Sequence, residues 1–191
     1  MLFDGLALGT APGWVMTPRA TSEQLVATAR TRLAGRPVRV ADVGTGSGAI
    51  AIAIAIACPN AEVWATDISR SAVALARANV RRHRLEDRVF VRQGDLLTPV
   101  RGPLDLIVAN LPYLAASTAA QHPDLLSEPA TAVFAAGDGL EPYRRLVDAA
   151  AIQLADGGAL LLQLNRRVVE GSRSELPALR AALGNNVAAA A

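Results

Sequence analysis

The chain contains no lysine: all 19 of its basic residues are arginines, set against 17 acids, for a formal charge of only +2. So small an excess gives no argument for nucleic acid as a direct substrate, because a protein that neutralises phosphates shows a basic face. The densest basic cluster, Arg81, Arg82, His83 and Arg84, runs straight into Glu86 and Asp87 and reads as a solvated helix end. Cysteine is nearly absent too. With Cys58 alone, neither an intrachain disulfide nor a cysteine-built metal site can form, which fits a reducing compartment, and no metal is expected. Long apolar runs are missing. The most apolar stretch, Ala49 to Ala57, is about half the ~20 residues that cross a bilayer, and the N-terminus lacks the basic start and cleavage pattern of a signal peptide. The expectation is a cytoplasmic protein with no membrane partner.

What is present is apolar. At 51% hydrophobic and 19% charged over 191 residues, the chain can bury enough surface to offset the entropy of ordering, and its length suits one domain. Residues 1–37 read as a leading segment with one helix, Thr21 to Leu33, which packs on the core; Thr21 and Gln24 have capping-box spacing, and Leu25, Ala29 and Leu33 recur every four residues. Residues 38–191 form the main domain. Apolar runs at Val38–Val43, Glu62–Thr66, Arg88–Arg92, Leu104–Ala109 and Ala159–Leu164 are expected strands, with helices at Gly48–Ala57, Ser69–Arg82 and Pro142–Leu154 between them. That alternation argues for a parallel sheet covered on both faces. Ile50, Ile52, Ile54 and Ile56 alternate with alanine, a period of two that alone says strand. A helix is expected instead, because alanine disfavours strands, a glycine turn comes directly before, and the isoleucines also pair four apart. The connection Tyr113–Leu140 shows no clear element, and a loop of that length tends to be a lid or binding loop.

The segment Val38 to Gly48 reads VRVADVGTGSG, a strand running through Gly44, Gly46 and Gly48 into a helix. Such glycines let the backbone approach a ligand, and the helix start presents unpaired amides. The spacing GxGxG departs from the dinucleotide fingerprint GxGxxG, which weakens hydride chemistry. Asp67 ends the second strand, where an acid can accept from both ribose hydroxyls, and Asp95 follows the third, where it can meet an adenine amine. Each acid taken singly reads equally as a helix cap or surface turn; three adjacent strand ends with this chemistry converge on one adenosine.

This arrangement resembles the class I S-adenosylmethionine-dependent methyltransferases, from about Val38 to Leu164. The resemblance implies an α/β, Rossmann-like three-layer sandwich with a mostly parallel sheet and S-adenosylmethionine as cofactor. It also implies that Asp42 with Gly44, Thr45, Gly46 and Gly48 holds the methionine end, that Asp67 takes the ribose, that Ile68 and Leu96 flank adenine, and that Asp95 contacts its amine.

The fourth strand runs LDLIVAN into Leu111, Pro112 and Tyr113. The Asn110 side-chain carbonyl and the Leu111 backbone carbonyl, the latter before a rigid proline, can both accept from one planar NH2, and Tyr113 offers a flat face for stacking. An amide nitrogen is barely nucleophilic. Two hydrogen bonds accepted from it orient it and stabilise the positive charge that develops during transfer. Alone, Asn-Leu-Pro-Tyr would read as a strand-ending turn. Behind an adenosyl pocket it resembles the [N/D]PP[Y/F/W] acceptor site of methyltransferases that act on glutamine, adenine or cytosine nitrogens, with Leu111 in place of the first proline; NLPY also occurs in ribosomal-RNA adenine dimethylases.

Three further segments narrow the choice. Thr17, Pro18 and Arg19 with Glu23 match TPR/IPRxxxE; Glu128, Pro129 and Ala132 to Phe134 resemble EPxxAL; Gly137 to Leu140 with Tyr143 and Arg144 match GxDGLxxYR. Together they resemble the HemK/PrmC-type glutamine methyltransferases, which modify the GGQ glutamine of peptide-chain release factors. The resemblance implies that Asn110 and the next carbonyl bind the target amide, and that Pro18, Arg19, Tyr113 and Glu128 help to shape the substrate channel. Against the family pattern, no helical N-terminal domain and no final C-terminal strand pair are expected, and Gln163, Leu164 and Asn165 stand where the family has E-[I/V]-G. The strand 159–164 is therefore expected at an open edge, needing cover from a partner or a second copy in a homo-oligomer. A helix is expected at Ser172–Leu183, and the terminal alanines read as a low-complexity tail or artificial extension. Ribosomal-protein glutamine methylation, nucleic-acid amine methylation on the same fold, and a noncatalytic S-adenosylmethionine-binding module stay open as alternatives.

Overall fold

The computed structural model describes residues 1–33, 35–164 and 187–190. A short antiparallel hairpin, β1 (Leu2–Phe3) and β2 (Leu6–Ala7), precedes helix α1 (Ala20–Arg32). Then follow β3 (Val38–Val43), α2 (Ala49–Ala57), β4 (Ala61–Asp67), α3 (Arg70–Arg82), β5 (Val89–Gln93) and β6 (Leu104–Ala109). The last part holds β7 (Leu114–Ala115), α4 (Ala130–Val133), β8 (Phe134–Ala135), α5 (Glu141–Gln153), β9 (Leu154–Gln163) and β10 (Val187–Ala190). Among the described residues no helix is long and apolar enough to cross a membrane.

Six strands form one sheet in the order β10-β9-β6-β3-β4-β5, every neighbouring pair parallel. Alternate residues of each strand feed opposite cores. Val40, Val63 and Leu106 face α1, α2 and α3, whereas Ala41, Val43, Ile107 and Leu160 face Leu146, Val147 and Ala150 of α5. Residues Ala49 to Ala55 of α2 are all buried, the condition under which a helix apolar on every side is stable, and α1 shares this core through Leu25, Val26 and Ala29. Chain order runs outward in opposite directions from β3 and β6. Their carboxyl ends therefore flank the switch point where open parallel sheets leave a crevice.

Several expectations need correction. The helix of the leading segment starts at Ala20 with Arg19 as its cap residue and no side-chain cap bond. The Arg19 carbonyl accepts from Ser22 N at 2.9 Å, so Thr21 already lies inside the first turn and the capping box with Gln24 does not form. The 113–140 connection is not devoid of elements: β7 and β8 pair in parallel, with 3₁₀ turns at Ala116–Gln121 and Pro123–Leu125 between them. The strand expected at Ala159 begins at Leu154, with a register shift against β6 between Leu104 and Leu106. Its outer edge is not open, because β10 pairs with it from Val187↔Leu160 to Ala190↔Gln163 and takes up its ladder groups; most of the terminal alanines are thus strand rather than tail. Among the described residues, β10 runs parallel to β9. The helix expected at Ser172–Leu183 lies outside the described residues.

Candidate methyl-transfer site

The glycine loop after β3 is held from β4. Thr66 carbonyl oxygen accepts from both Gly44 N and Thr45 N at 2.9 Å, and the Asp67 carboxylate accepts from Gly46 N and Ser69 N, each at 2.9 Å. Burial pushes the Asp67 carboxyl above its usual range, opposed by those backbone donors. Gly44 (φ +73°) is needed for close approach as well as for its conformation: a Cβ there would stand 2.7 Å from Leu111 Cδ2, so the loop and the Asn-Leu-Pro-Tyr turn are in van der Waals contact across the switch point.

Between them opens a cavity of about 260 Å³. Gly44, Gly46, Asp67, Ile68, Asp95, Leu96, Asn110, Leu111 and Pro112 all line it, so three strand ends and the turn after β6 do meet. Two smaller cavities adjoin. One of about 60 Å³ brings Pro18, Arg19, Ser22 and Thr45 to Asn110, and one of about 40 Å³ brings Arg19 and Tyr113 to Asn110, Leu111 and Pro112. Asn110 lines all three. Leu96 adopts a left-handed backbone (φ +49°), rare for leucine, while its carbonyl accepts from Thr66 Oγ1 at 2.8 Å.

Asp42 sits elsewhere. It is fully buried beneath the loop, where its Oδ2 accepts from Thr45 Oγ1 at 2.6 Å and from Ala51 N at 3.1 Å, and it lines none of these cavities. It ties the loop to the start of α2, and burial pushes its carboxyl up to about 7. Gly48 caps α2 against Ala76 and lines none of these three cavities. Glu128 accepts from Thr17 N at 3.2 Å, fastening the 113–140 connection to the leading segment, and Glu23 accepts from Asp4 N at 2.9 Å, fastening the hairpin.

Sequence reasoning missed how the GxDGLxxYR residues work. Tyr143, fully buried, places its hydroxyl 2.8 Å from the Leu111 carbonyl oxygen, 2.8 Å from the Gln163 carbonyl oxygen and 3.0 Å from Leu111 N, which donates to it. One hydroxyl proton serves two carbonyls, so the Leu111 carbonyl is not the unengaged acceptor expected from the turn alone. Burial drives the phenol above its usual range, so it stays protonated. Asp138 accepts from Leu140 N at 3.0 Å and pairs with Arg144, whose guanidinium holds the carboxyl down at about 2. Arg145 was missed as well: it pairs with Asp95 at the cavity wall and approaches Glu141 one helical turn away at 3.8 Å. Trp14, Val15 and Met16 add a wall that carries no motif in the sequence. No group of three or more His, Cys, Asp or Glu side chains among the described residues could hold a metal ion.

The family model for the methyltransferase small domain matches residues 20–138, more than half of the chain and all of the strand ends just described. The chain belongs to the methyltransferase small domain family. The release factor glutamine methyltransferase of Deinococcus radiodurans is 42% identical to it over 170 residues, covering 87% of this chain and 60% of that protein. The protein of the same name from Moorella thermoacetica is 43% identical over 153 residues, covering 78% of this chain and 54% of that protein. The chain thus spans somewhat more than half the length of these relatives. Among solved structures, the ribosomal protein L11 methylase of Lactobacillus delbrueckii subsp. bulgaricus superposes with a TM-score of 0.57 at 25% identity, covering 90% of this chain and 71% of that one. The hMettl16 catalytic domain reaches a TM-score of 0.72 at 18% identity, covering 91% and 67%, a likeness of fold. The small-domain fold thus accounts for the α/β architecture and for the crevice at the carboxyl rim.

Proposed function

We propose that this methyltransferase small domain transfers the methyl group of S-adenosylmethionine to the side-chain amide nitrogen of a protein glutamine, the GGQ glutamine of a peptide-chain release factor. The observation that carries the reading is the position of Asn110: it directly follows β6 at the switch point and lines the main cavity together with Asp67, Asp95 and the glycine loop. Relatives named release factor glutamine methyltransferases, about 42% identical over most of this chain, support the choice of substrate.

The residues present fit the cofactor. Asp67 spends one lone pair of each oxygen on a backbone N–H and keeps others for ribose hydroxyls, Ile68 and Leu96 offer apolar plates for adenine, and Asp95, steadied by Arg145, offers an acceptor for its amine. Gly44, Thr45 and Gly46 present backbone without obstructing side chains, while Asp42 and Gly48 set the loop's course from behind. When bound, S-adenosylmethionine would supply an electrophilic sulfonium methyl, its carbon–sulfur bond breaking to leave S-adenosylhomocysteine. The protein's own part is positional. The Asn110 carbonyl oxygen and the Leu111 carbonyl accept from the two N–H bonds of the target amide, turn its nitrogen lone pair toward the cavity and stabilise the charge that grows on nitrogen; Tyr113 supports the amide plane. Pro18, Arg19 and the loop fastened by Glu128 form the approach. No strong base is required before transfer, since the proton leaves afterwards. A translation factor as substrate goes with action in the cytoplasm.

The test is incubation with labelled S-adenosylmethionine and either release factor or total RNA, with Asn110→Ala as control. Label on the release-factor glutamine, lost in the variant, is the expected result. Label in RNA alone rejects the glutamine assignment, and cofactor binding with no label anywhere makes the chain a binding module.

A further inference from the structure

We infer that Ser22 is a positioning residue that anchors the Asn110 amide beside the target nitrogen. The inference rests on the amide-acceptor reading above. A primary amide has an accepting end and a donating end of nearly the same shape, and only the oxygen can receive a hydrogen bond from a substrate NH2. Turned over, the same side chain would set two donors against each other. The side chain therefore has to be held in place from within the protein.

The structure supplies one partner for that task. Asn110 Nδ2 donates to Ser22 Oγ at 3.1 Å, a contact between residues 88 apart in the chain. Asn110 Oδ1 accepts from no side chain or backbone group among the described residues, so the accepting end is the one left available. Ser22 is itself buried and stands on a rigid support: it lies in the first turn of α1, its N–H held by the Arg19 carbonyl, and the helix is anchored in the core by Leu25, Val26 and Ala29. It also lines the 60 Å³ cavity with Pro18, Arg19 and Asn110, so the hydroxyl borders the site rather than the distant core. The leading segment thereby reaches the transfer chemistry through one hydrogen bond.

Wild type, Ser22→Ala and Ser22→Thr are compared in two measurements: steady-state methylation of a release factor, and the side-chain NH2 signals of Asn110 in ¹⁵N–¹H spectra of the protein without cofactor, assigned by their loss in Asn110→Ala. Ser22→Ala is expected to lower kcat about tenfold while cofactor affinity and Tm hold, and to shift the Asn110 signals. Ser22→Thr, which keeps the hydroxyl, is expected to restore both. Unshifted Asn110 signals in Ser22→Ala, an unchanged kcat, a parallel loss of cofactor affinity or Tm, or failure of threonine to rescue overturns the inference. If the wild type leaves the release factor unlabelled, the glutamine reading falls by itself, and the spectra still decide whether Ser22 orients Asn110.

Discussion

The Tyr143 hydroxyl grips Leu111 on both sides of that residue, accepting from its N–H at 3.0 Å and lying 2.8 Å from its carbonyl oxygen. The turn after β6 carries leucine where related acceptor turns carry a first proline, and this grip from α5 supplies by hydrogen bonding some of the rigidity that a ring would have supplied covalently. Tyr143→Phe keeps the ring in place and deletes the hydroxyl. A buried N–H is then left without a partner, and stability is expected to fall by about 1–3 kcal/mol, read as a lower Tm. Turnover should fall further than cofactor affinity, because the loss lands on the turn proposed to receive the target amide. An unchanged kcat in the phenylalanine variant would show that the turn holds itself.

Asp67 and Asn110 line one cavity, and the proposed function gives them different halves of the reaction. Asp67→Ala removes the acceptor at the end of β4 and frees Gly46 N, so cofactor Kd is expected to rise at least about tenfold. Asn110→Ala leaves that wall intact and is expected to keep cofactor Kd within about twofold while kcat drops on the order of a hundredfold or more. Calorimetric binding beside steady-state kinetics separates the two; equal loss of binding in both variants would contradict the assigned roles.

Gly139 packs against the far side of the same turn. Its φ is +90°, and an added Cβ would run into the Tyr113 carbonyl, standing 2.9 Å from Tyr113 C and 3.0 Å from Ala115 N. These are backbone atoms at the start of β7 and cannot yield as a side-chain tip can. Gly139→Ala should therefore cost about 1–3 kcal/mol of strain and displace Tyr113, lowering both Tm and kcat with little change in cofactor affinity. Cofactor affinity falling as far as kcat would show that the damage is not confined to the acceptor side.

Asp42 gives the fold a pH dependence of unusual sign for a carboxylate. Burial raises it from 3.8 to about 7 in the folded protein, so between those values the native state holds a proton that the unfolded chain has released. Its contribution is fully present below about 4 and is lost as pH rises toward 7. Asp42→Asn keeps an oxygen for Thr45 Oγ1 and Ala51 N but cannot ionise. The stability of wild type relative to this variant is expected to decline from pH 4 to pH 7 and then level off, as followed by denaturant unfolding at each pH. A constant difference across that range would mean that the carboxyl is not raised.

The sequence by itself determined what depends on neighbours a few residues away. The strand at Val38–Val43, the glycine loop behind it, Ser69 capping α3 and even the period-two Ile/Ala segment as a helix follow from side-chain periodicity, backbone preference and capping chemistry, all local quantities. The motif residues Gly44, Asp67, Asp95 and Asn110 were legible as one site because each lies at or just beyond the carboxyl end of a strand, and parallel strands deliver those ends to one rim. Only the tertiary structure decided that Asp42 lies under the loop, that Thr21 caps nothing, that Glu128 and Glu23 fasten segments, that Ser22 meets Asn110 and Tyr143 meets Leu111, and that β10 closes the edge of β9. Those facts rest on which elements become neighbours when two faces of a sheet are covered at once. A hydrogen bond between residues far apart in the chain leaves no spacing or periodicity behind it in the sequence.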